Sequence, residues 1–285
     1  MARLVKGHTP ILRTMCLIPS CDIAITDGVI HAFEESPELR EVHLPDNYHE
    51  LCLPWSQLTH LRISKSRRPI FSPDGILGRS ANLVELDLGA LPRSPPKKDQ
   101  LVHLPKLKRL RFSYDGSHFS GWLRAPKLES LDVNNTCSPH FVDLEELSSF
   151  ISCSECVLLS LSVANLGIGN HGRSLKKFVA GIPSLSRLEL RGSKVDWRRL
   201  AQVIAPKDSL GGLTNIQHVV FNLGTGHKPL PLQTDAFRFL EWLAASRHRS
   251  LVSASFFKAA IRAEDEWRIS RLMESGLQIL RIVEF

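Results

Sequence analysis

Hydrophobic positions along this chain recur in a six-residue phrase, Leu-x-x-Leu-x-Leu in type, and a longer polar or mixed connector separates each copy from the next. Successive copies start roughly 20 to 35 residues apart, and an internal period of this size predicts an array of similar structural units. The spacing becomes looser in the C-terminal half. The copies begin at Leu12, Leu39, Leu58, Leu83, Leu107, Leu128, Leu158, Leu185, Ile216, Leu251 and Leu277.

Alternation within the phrase predicts a short β-strand. Successive side chains of a strand point to opposite faces, so the fourth and sixth positions share the buried face, while the third and fifth share the outward face. This pattern, at a period near 20 to 29 residues, is typical of leucine-rich repeats. We therefore predict an α/β leucine-rich repeat solenoid, with a curved parallel β-sheet on the concave side and irregular helices and loops on the convex side. The predicted inward pairs are Leu61 and Ile63, Leu86 and Leu88, Leu110 and Phe112, Leu131 and Val133, Leu161 and Val163, Leu188 and Leu190, Val219 and Phe221, and Leu280 and Ile282.

The connectors between phrases fall into two kinds. The connectors 64–82, 89–106 and 113–127 are rich in Pro, Gly and Ser, so loops or single helical turns are predicted there. Others open with a short polar side chain that can accept a hydrogen bond from a first-turn amide, followed by apolar residues at helical spacing. The predicted helix starts of this second kind are Asp27, Ser174, Asp196, Thr234 and Asp265.

Composition indicates one folded domain over residues 1–285, made of about ten or eleven irregular repeats. The content of hydrophobic residues is 43%, enough for a sizeable core. The segment Pro92–Lys98 is the densest linker candidate, but the phrase continues on both sides, so a loop inside the array is predicted. No run approaches the roughly 18 apolar residues that span a bilayer. We therefore predict a soluble intracellular chain, cytoplasmic or nuclear.

Motifs for catalysis, cofactors and metals are weak in this sequence. Cys153 and Cys156 form one Cys-x-x-Cys without a second ligand pair at suitable spacing, so reduced thiols are predicted instead of a zinc site. The stretch Gly167–Gly172 spells G-x-G-x-x-G, but the next strand does not end in an acidic residue, so a repeat loop is predicted instead of a dinucleotide site. The twelve histidines fit no known catalytic pattern. We predict a non-catalytic protein without metal or cofactor.

The formal charge is +7, which raises nucleic acid as a partner class. The outward strand positions, however, alternate in sign from one copy to the next, and neighbouring strands about 4.8 Å apart allow these charges to pair laterally. Such a surface favours a protein partner over a polyanion; a solvated face without a ligand and a basic nucleic-acid-binding repeat protein stay open as alternatives. Serines make the outward face of later copies nearly uncharged, namely Ser160, Ser162, Ser253 and Ser255. The predicted partner-binding residues of the concave face are His60, Arg62, Glu85, Asp87, Arg109, Arg111, Asp132, Arg187 and Glu189.

Two stretches carry a resemblance to a known family. Pro54–Leu61 reads Pro-Trp-Ser-Gln-Leu-Thr-His-Leu, and Ala125–Leu131 reads Ala-Pro-Lys-Leu-Glu-Ser-Leu. They resemble phrases that open repeats in the large F-box protein family of mushroom-forming (basidiomycete) fungi. The resemblance covers the chain from about Leu39 to Leu190, and its most specific part is Pro54–Leu61.

The resemblance implies a substrate-binding repeat module. Such proteins resemble receptors of cullin-based ubiquitin ligases, in which an F-box docks on a Skp-type adaptor and the repeats hold the substrate. The F-box itself is not recognised in this sequence and is expected upstream of Met1. A protein ligand on the concave face is therefore expected, and a Skp-type adaptor is a partner only if an F-box exists upstream. A stand-alone leucine-rich repeat scaffold unconnected to ubiquitination is the alternative.

Overall fold

The chain divides into two compact units in the computed structural model. Unit 1 comprises residues 1–129 and 149–156, and unit 2 comprises residues 130–148 and 157–285. The prediction of a single domain stays a prediction. The residues that the structure describes are 10–17, 31, 33–44, 51–64, 73–89, 101–113, 123–134, 142–164, 177–191, 216–222, 230–231, 237, 241, 253–257, 259–260 and 266–282.

Unit 1 is built on short parallel strands. Its strands are β1 (Thr14–Cys16), β2 (Glu41–Leu44), β3 (His60–Ile63), β4 (Glu85–Leu88), β5 (Val102–His103), β6 (Arg109–Ser113) and β7 (Leu123–Arg124). Strands β1, β2, β3, β4 and β6 pair in that order, each parallel to the next. β5 and β7 form a separate parallel ladder, so the connectors 89–106 and 113–127 contain strand pairing that was not predicted.

Unit 2 repeats this arrangement. Its strands are β8 (Ser130–Asn134), β9 (Ser160–Ala164), β10 (Arg187–Arg191), β11 (His218–Asn222), β12 (Leu230–Pro231), β13 (Ser253–Phe257), β14 (Ala259–Ala260) and β15 (Gln278–Ile282). Strands β8, β9, β10, β11, β13 and β15 pair in that order and in parallel, and β12 pairs with β14 in a separate parallel ladder. Every strand of the two main ladders except β15 begins two residues after the first leucine or isoleucine of its phrase. The predicted parallel strands are confirmed, and the fold is α/β.

The strand register aligns the inward apolar residues in rows. Leu61 pairs with Leu86 and Leu86 with Leu110, and each is only 2% exposed. Ala254, the small residue of the weakest copy, pairs with Val219 and is also fully buried. Burying a leucine side chain contributes about 1.5–3 kcal/mol, so these rows stabilise the packing of strand on strand. The other predicted inward residues that are buried are Ile63, Leu88, Phe112, Leu131, Val133, Leu161, Val163, Leu188, Leu190 and Val219.

Helices are few among the described residues. The structure gives bounds for a 3-10 turn (Trp55–Gln57) and for helices α1 (Pro73–Arg79), α2 (Leu144–Ser154) and α3 (Glu266–Glu274). α1 spans about two turns, more than the single turn predicted for the connector 64–82. In the described part of the chain no helix is long and apolar enough to cross a bilayer.

The predicted helical connectors are confirmed in part. α3, residues 177–180 and positions 237 and 241 are helical, downstream of three of the predicted starts. Phe33 lies in a turn, so the connector that follows Asp27 is not helical there. The predicted starts Asp27, Ser174, Asp196, Thr234 and Asp265 lie outside the described residues.

Helix α2 was not predicted, although its start has a sequence signature. The Asp143 carboxylate oxygen Oδ1 accepts hydrogen bonds from the backbone N–H groups of Glu145 (2.8 Å) and Glu146 (3.4 Å). Asp143 thus satisfies first-turn amides that have no partner within the helix. Leu147 and Phe150 follow at helical spacing and are fully buried.

The last phrase is shifted by one residue from its prediction. Ile279, and not Leu280, pairs with Ala254 and so continues the inward row. The cause is the end of α3, where the N–H of Leu277 donates to the carbonyl of Leu272 (3.3 Å) and Gly276 has φ +94°. This is the Schellman arrangement, which places a glycine just past the helix and a hydrophobic residue after it. Leu277 therefore belongs to the helix end, and the strand starts at Gln278.

Polar side chains just before the phrases tie consecutive copies together. Gln57, at the end of the turn Trp55–Gln57, donates from Nε2 to the carbonyl of Leu39 (3.1 Å). Asn82 donates in the same way from Nδ2 to the carbonyl of Ser56 (2.6 Å) in the copy before it. These bonds satisfy backbone carbonyls that the strands do not use. The Trp-Ser-Gln segment therefore has a structural role in this chain.

Candidate interaction face

The outward positions of the phrases in unit 1 form a charged face on β2, β3, β4 and β6. Register and alternation place these side chains opposite the buried leucine rows, in two rows that run across the strands. The first row is Glu41, His60, Glu85 and Arg109, and the second is His43, Arg62, Asp87 and Arg111. We call these eight residues the charged face.

Glu85 is the central carboxylate of the first row. Its Oε1 accepts a hydrogen bond from Arg109 Nη1 at 2.7 Å and lies 3.7 Å from His60 Nε2. At the β2 end of the face, Glu41 Oε1 lies 3.1 Å from His43 Nε2. Each carboxylate thus has a basic side chain on its own or a neighbouring strand.

Asp87 has the corresponding place in the second row. Its Oδ2 lies 3.4 Å from Arg62 Nε on β3 and 3.7 Å from Arg111 Nη1 on β6. Two guanidinium groups thus approach one carboxylate oxygen from opposite sides. The lateral pairing predicted for these residues is confirmed.

These ion pairs are open to solvent. The side chains of Arg62, Arg109 and Arg111 are 56%, 69% and 58% exposed. Exposed ion pairs contribute about 0–1 kcal/mol, because water and salt screen them and because ordering long side chains costs entropy. The pairs therefore contribute little to the stability of the sheet. A ligand can replace one member of a pair at little cost in free energy. The face offers guanidinium donors and carboxylate acceptors for recognition.

A second polar cluster lies in unit 2, around Arg191. Its Nη2 donates to Asp132 Oδ1, two strands away, and its Nε and Nη2 donate to Ser162 Oγ at 2.9 and 2.6 Å on the strand between them. Glu189 Oε1 lies 3.5 Å from Arg191 Nε. The Asp132 and Arg191 side chains are only 16% and 23% exposed, in contrast to the charged face.

Eight of the nine predicted site residues therefore separate into two groups. His60, Arg62, Glu85, Asp87, Arg109 and Arg111 lie together on the charged face of unit 1. Of the remaining three, Asp132 and Glu189 belong to the Arg191 cluster, whereas Arg187 is exposed at the start of β10.

Three of the four serines at outward positions of later copies are not open to solvent. Ser162, Ser253 and Ser255 are buried. Arg191 covers Ser162 with two hydrogen bonds, and Ser253 Oγ lies 2.8 Å from His218 Nδ1. Large neighbours on adjacent strands therefore cover small outward side chains.

Sequence reasoning missed three residues of these clusters. Glu41 and His43 occupy the third and fifth positions of the phrase that begins at Leu39, so extending the same count to that copy would have found them. Arg191 occupies the seventh position of its phrase, which shares a face with the third and fifth in a strand that continues. Its bond to Asp132 has no signal in the spacing, because it passes over an intervening strand.

Elsewhere, the described residues offer little for metal or nucleophilic chemistry. Cys153 and Cys156 are free thiols at the end of α2, the first exposed and the second about half buried. Burial raises the pKa of the Cys156 thiol above its ordinary value, and a backbone hydrogen bond acts in the opposite direction. Within the described ranges no three or more His, Cys, Asp or Glu side chains gather as a metal site. Gly167–Gly172 lies outside those ranges.

No protein-family model and no curated protein matches the sequence.

Proposed function

We propose that this chain is a leucine-rich repeat recognition module that binds a partner protein through the charged face. The observation that carries the proposal is the register of unit 1, in which eight polar side chains stand in two rows over two rows of buried apolar side chains. The sheet holds these side chains in place, and a ligand can replace one member of each ion pair. Such a surface is suited to binding a partner without catalysis.

The backbone hydrogen bonds support a repeating architecture. The carbonyl of Arg40 accepts from the N–H groups of Thr59 and His60 (2.8 and 3.0 Å). One copy later, the carbonyl of Thr59 accepts from Val84 and Glu85 (2.8 and 3.0 Å). Each phrase thus enters its strand in the same way, as the stacking of equivalent repeats requires. In this proposal the charged face is the concave side of the array.

The mixed sign of the face favours a protein over a nucleic acid. Glu85 and Asp87 lie between the arginines, so a phosphate backbone bound to those arginines would lie beside two carboxylates. Binding to nucleic acid would instead require an uninterrupted basic surface, and its affinity would fall steeply with salt.

A place in a ubiquitin ligase is a further part of the proposal, and it depends on an F-box. The Pro54–Leu61 phrase resembles repeats of F-box proteins, and substrate binding is what such repeats would contribute. Recognition by the charged face is independent of that connection. Mixing the purified chain with a Skp-type adaptor tests the ubiquitin-ligase connection separately. Formation of that complex requires a docking segment outside the charged face.

The charged face is tested by charge reversal. Arg62→Glu together with Arg111→Glu replaces two exposed cations without touching the leucine rows. Lys108→Glu is the matched control, because Lys108 is also exposed and ion-paired, to Glu129 at 3.0 Å, but lies outside the two rows. Tagged wild-type and variant chains are used to recover partners from cell extract, and the recovered proteins are quantified by mass spectrometry.

We expect a protein that the wild type and Lys108→Glu recover equally and that the double variant does not recover. Circular dichroism should show the same fold for all three chains, because the changed side chains are exposed. Equal recovery of every protein by the double variant and the wild type would refute the proposal. Recovery that disappears on nuclease treatment would favour the nucleic-acid alternative.

A further inference from the structure

The centre of the charged face, on β3, β4 and β6, carries more positive than negative charge. Three arginines, Arg62, Arg109 and Arg111, surround two carboxylates, Glu85 and Asp87. All three arginine side chains are more than half exposed. A ligand that supplies carboxylates therefore finds cations that it can reach from solvent.

The two arginines beside Asp87 are bound to it more loosely than Arg109 is bound to Glu85. Arg109 makes a hydrogen bond of 2.7 Å to Glu85, whereas the closest ion-pair distances of Arg62 and Arg111 to Asp87 are 3.4 and 3.7 Å. Strong guanidinium–carboxylate bonds are about 2.7–2.9 Å long and often bidentate. Both arginines approach the same oxygen, Oδ2, so the two guanidinium groups share one acceptor atom of Asp87. A carboxylate from a ligand can give each guanidinium the closer bond.

The spacing of these arginines indicates the form of the ligand. Arg62 and Arg111 lie on strands separated by one strand, so their backbones are about 10 Å apart and their side chains converge on Asp87. In an extended peptide, side chains two residues apart point to the same side and lie about 7 Å from each other. Two acidic side chains in an acidic-x-acidic segment therefore match two guanidinium groups that lean toward a common centre.

We infer that the charged face binds an acidic, extended segment of its partner protein, with one carboxylate on Arg62 and a second on Arg111. This inference rests on the proposed function and names the chemistry of the partner. A peptide backbone also carries N–H donors for Asp87 and Glu85, whereas the phosphate backbone of DNA carries acceptors only. The mixed face thus suits an acidic peptide better than a nucleic acid.

Binding of defined probes to the full chain tests this inference. Fluorescence anisotropy is measured with a labelled peptide of alternating Glu and Ser, with the matched peptide of alternating Gln and Ser, and with a short oligothymidylate of the same charge as the Glu peptide. We expect the Glu peptide to bind the wild type. Arg62→Gln with Arg111→Gln should weaken that binding by about tenfold or more, the loss expected from removing two charge-assisted contacts. Lys108→Gln, outside the face, should bind like the wild type.

Asp87→Asn gives a test in the opposite direction. It removes the carboxylate that competes for both arginines, so the Glu peptide should bind several-fold more tightly. A change that merely disturbed the strand would weaken binding instead, so weaker binding by Asp87→Asn would count against the inference. Equal binding of the Gln peptide, tighter binding of the oligothymidylate, or unaltered binding by the arginine double variant would overturn the inference.

Failure of this inference is distinguishable from failure of the proposed function. If the arginine variants lose a protein partner while no acidic peptide binds the wild type, the recognition function holds and the acidic partner is refuted. If neither partner recovery nor peptide binding depends on the arginines, both are refuted.

Discussion

The Arg191 guanidinium donates a hydrogen bond to the Asp132 carboxylate across an intervening strand, 59 residues away in the sequence. The side chains of both residues are more than three-quarters buried. Replacing Arg191 by Met keeps the apolar part of the side chain but removes the guanidinium that donates to both Asp132 and Ser162. We expect a loss of about 1–3 kcal/mol in the free energy of unfolding, the contribution of charge-assisted hydrogen bonds between partly buried groups.

Urea denaturation measures this loss, and Arg187→Met on the same strand is the control. Arg187 is exposed, so its replacement should change the free energy of unfolding by no more than about 0.5 kcal/mol. Adding Asp132→Asn to Arg191→Met should cost little more than Arg191→Met alone, with a coupling near 1 kcal/mol. Equal effects of the two arginine substitutions would show that the Arg191 cluster contributes nothing specific to stability.

Much of the fold could be predicted because the phrase encodes it locally. A strand with an apolar fourth and sixth position buries the same face in every copy, and even Ala254 keeps its place in the row. The exception is β15, where the bonding of Leu277 and Gly276 at the end of α3 moves the strand by one residue. Whether a leucine belongs to a strand or to a helix end depends on backbone hydrogen bonds that its spacing does not record.

The contacts of the candidate site were also predictable only in part. Pairs between adjacent strands, such as Arg109 with Glu85, follow from register alone and were predicted. The bond from Arg191 to Asp132 was not, because it needs a long side chain that passes over the small Ser162. Contacts that span several strands depend on the size of every residue between them, and a count of positions does not contain that information.

Substitutions at the ends of two helices should change the stability of the chain in opposite directions. Gly276 has φ +94°, which side chains rarely adopt, so Gly276→Ala should destabilise the chain by about 1–2 kcal/mol. Glu155, which follows α2, has φ +52° and gains by becoming glycine, so Glu155→Gly should stabilise by about 0.5–1 kcal/mol. Thermal unfolding followed by circular dichroism measures both changes.

Gly78 in α1 is the control for these substitutions. A β-carbon added there meets nothing within 4 Å, and the helix favours alanine over glycine by about 0.5–1 kcal/mol. Gly78→Ala should therefore stabilise the chain. A loss of stability at Gly78, or none at Gly276, would contradict the helix ends described above.

The inward rows predict a sharp contrast between two leucines of unit 2. Leu131 is fully buried in the row, and Leu159, just ahead of β9, is 42% exposed. Leu131→Ala should lower the free energy of unfolding by about 2–5 kcal/mol, because it removes buried apolar area and leaves a cavity. Leu159→Ala, measured in the same urea titration, should cost less than about 1 kcal/mol. Similar losses at both sites would mean that the alternation of buried and exposed positions is wrong there.

The thiols at the end of α2 should differ in reactivity. The thiolate is the nucleophile, and burial raises the pKa of Cys156, so at mildly alkaline pH Cys156 carries a smaller thiolate fraction than it would in water. Cys153, exposed three residues earlier, should therefore be alkylated by iodoacetamide first. Mass spectrometry of peptides taken at successive times gives the two rates, and the difference should narrow as the pH rises through the raised pKa. Denaturing the chain in urea removes the burial, so the two rates should then become similar. Faster alkylation of Cys156 in the folded chain, or a difference that persists in urea, would show that burial does not control the reactivity of this pair.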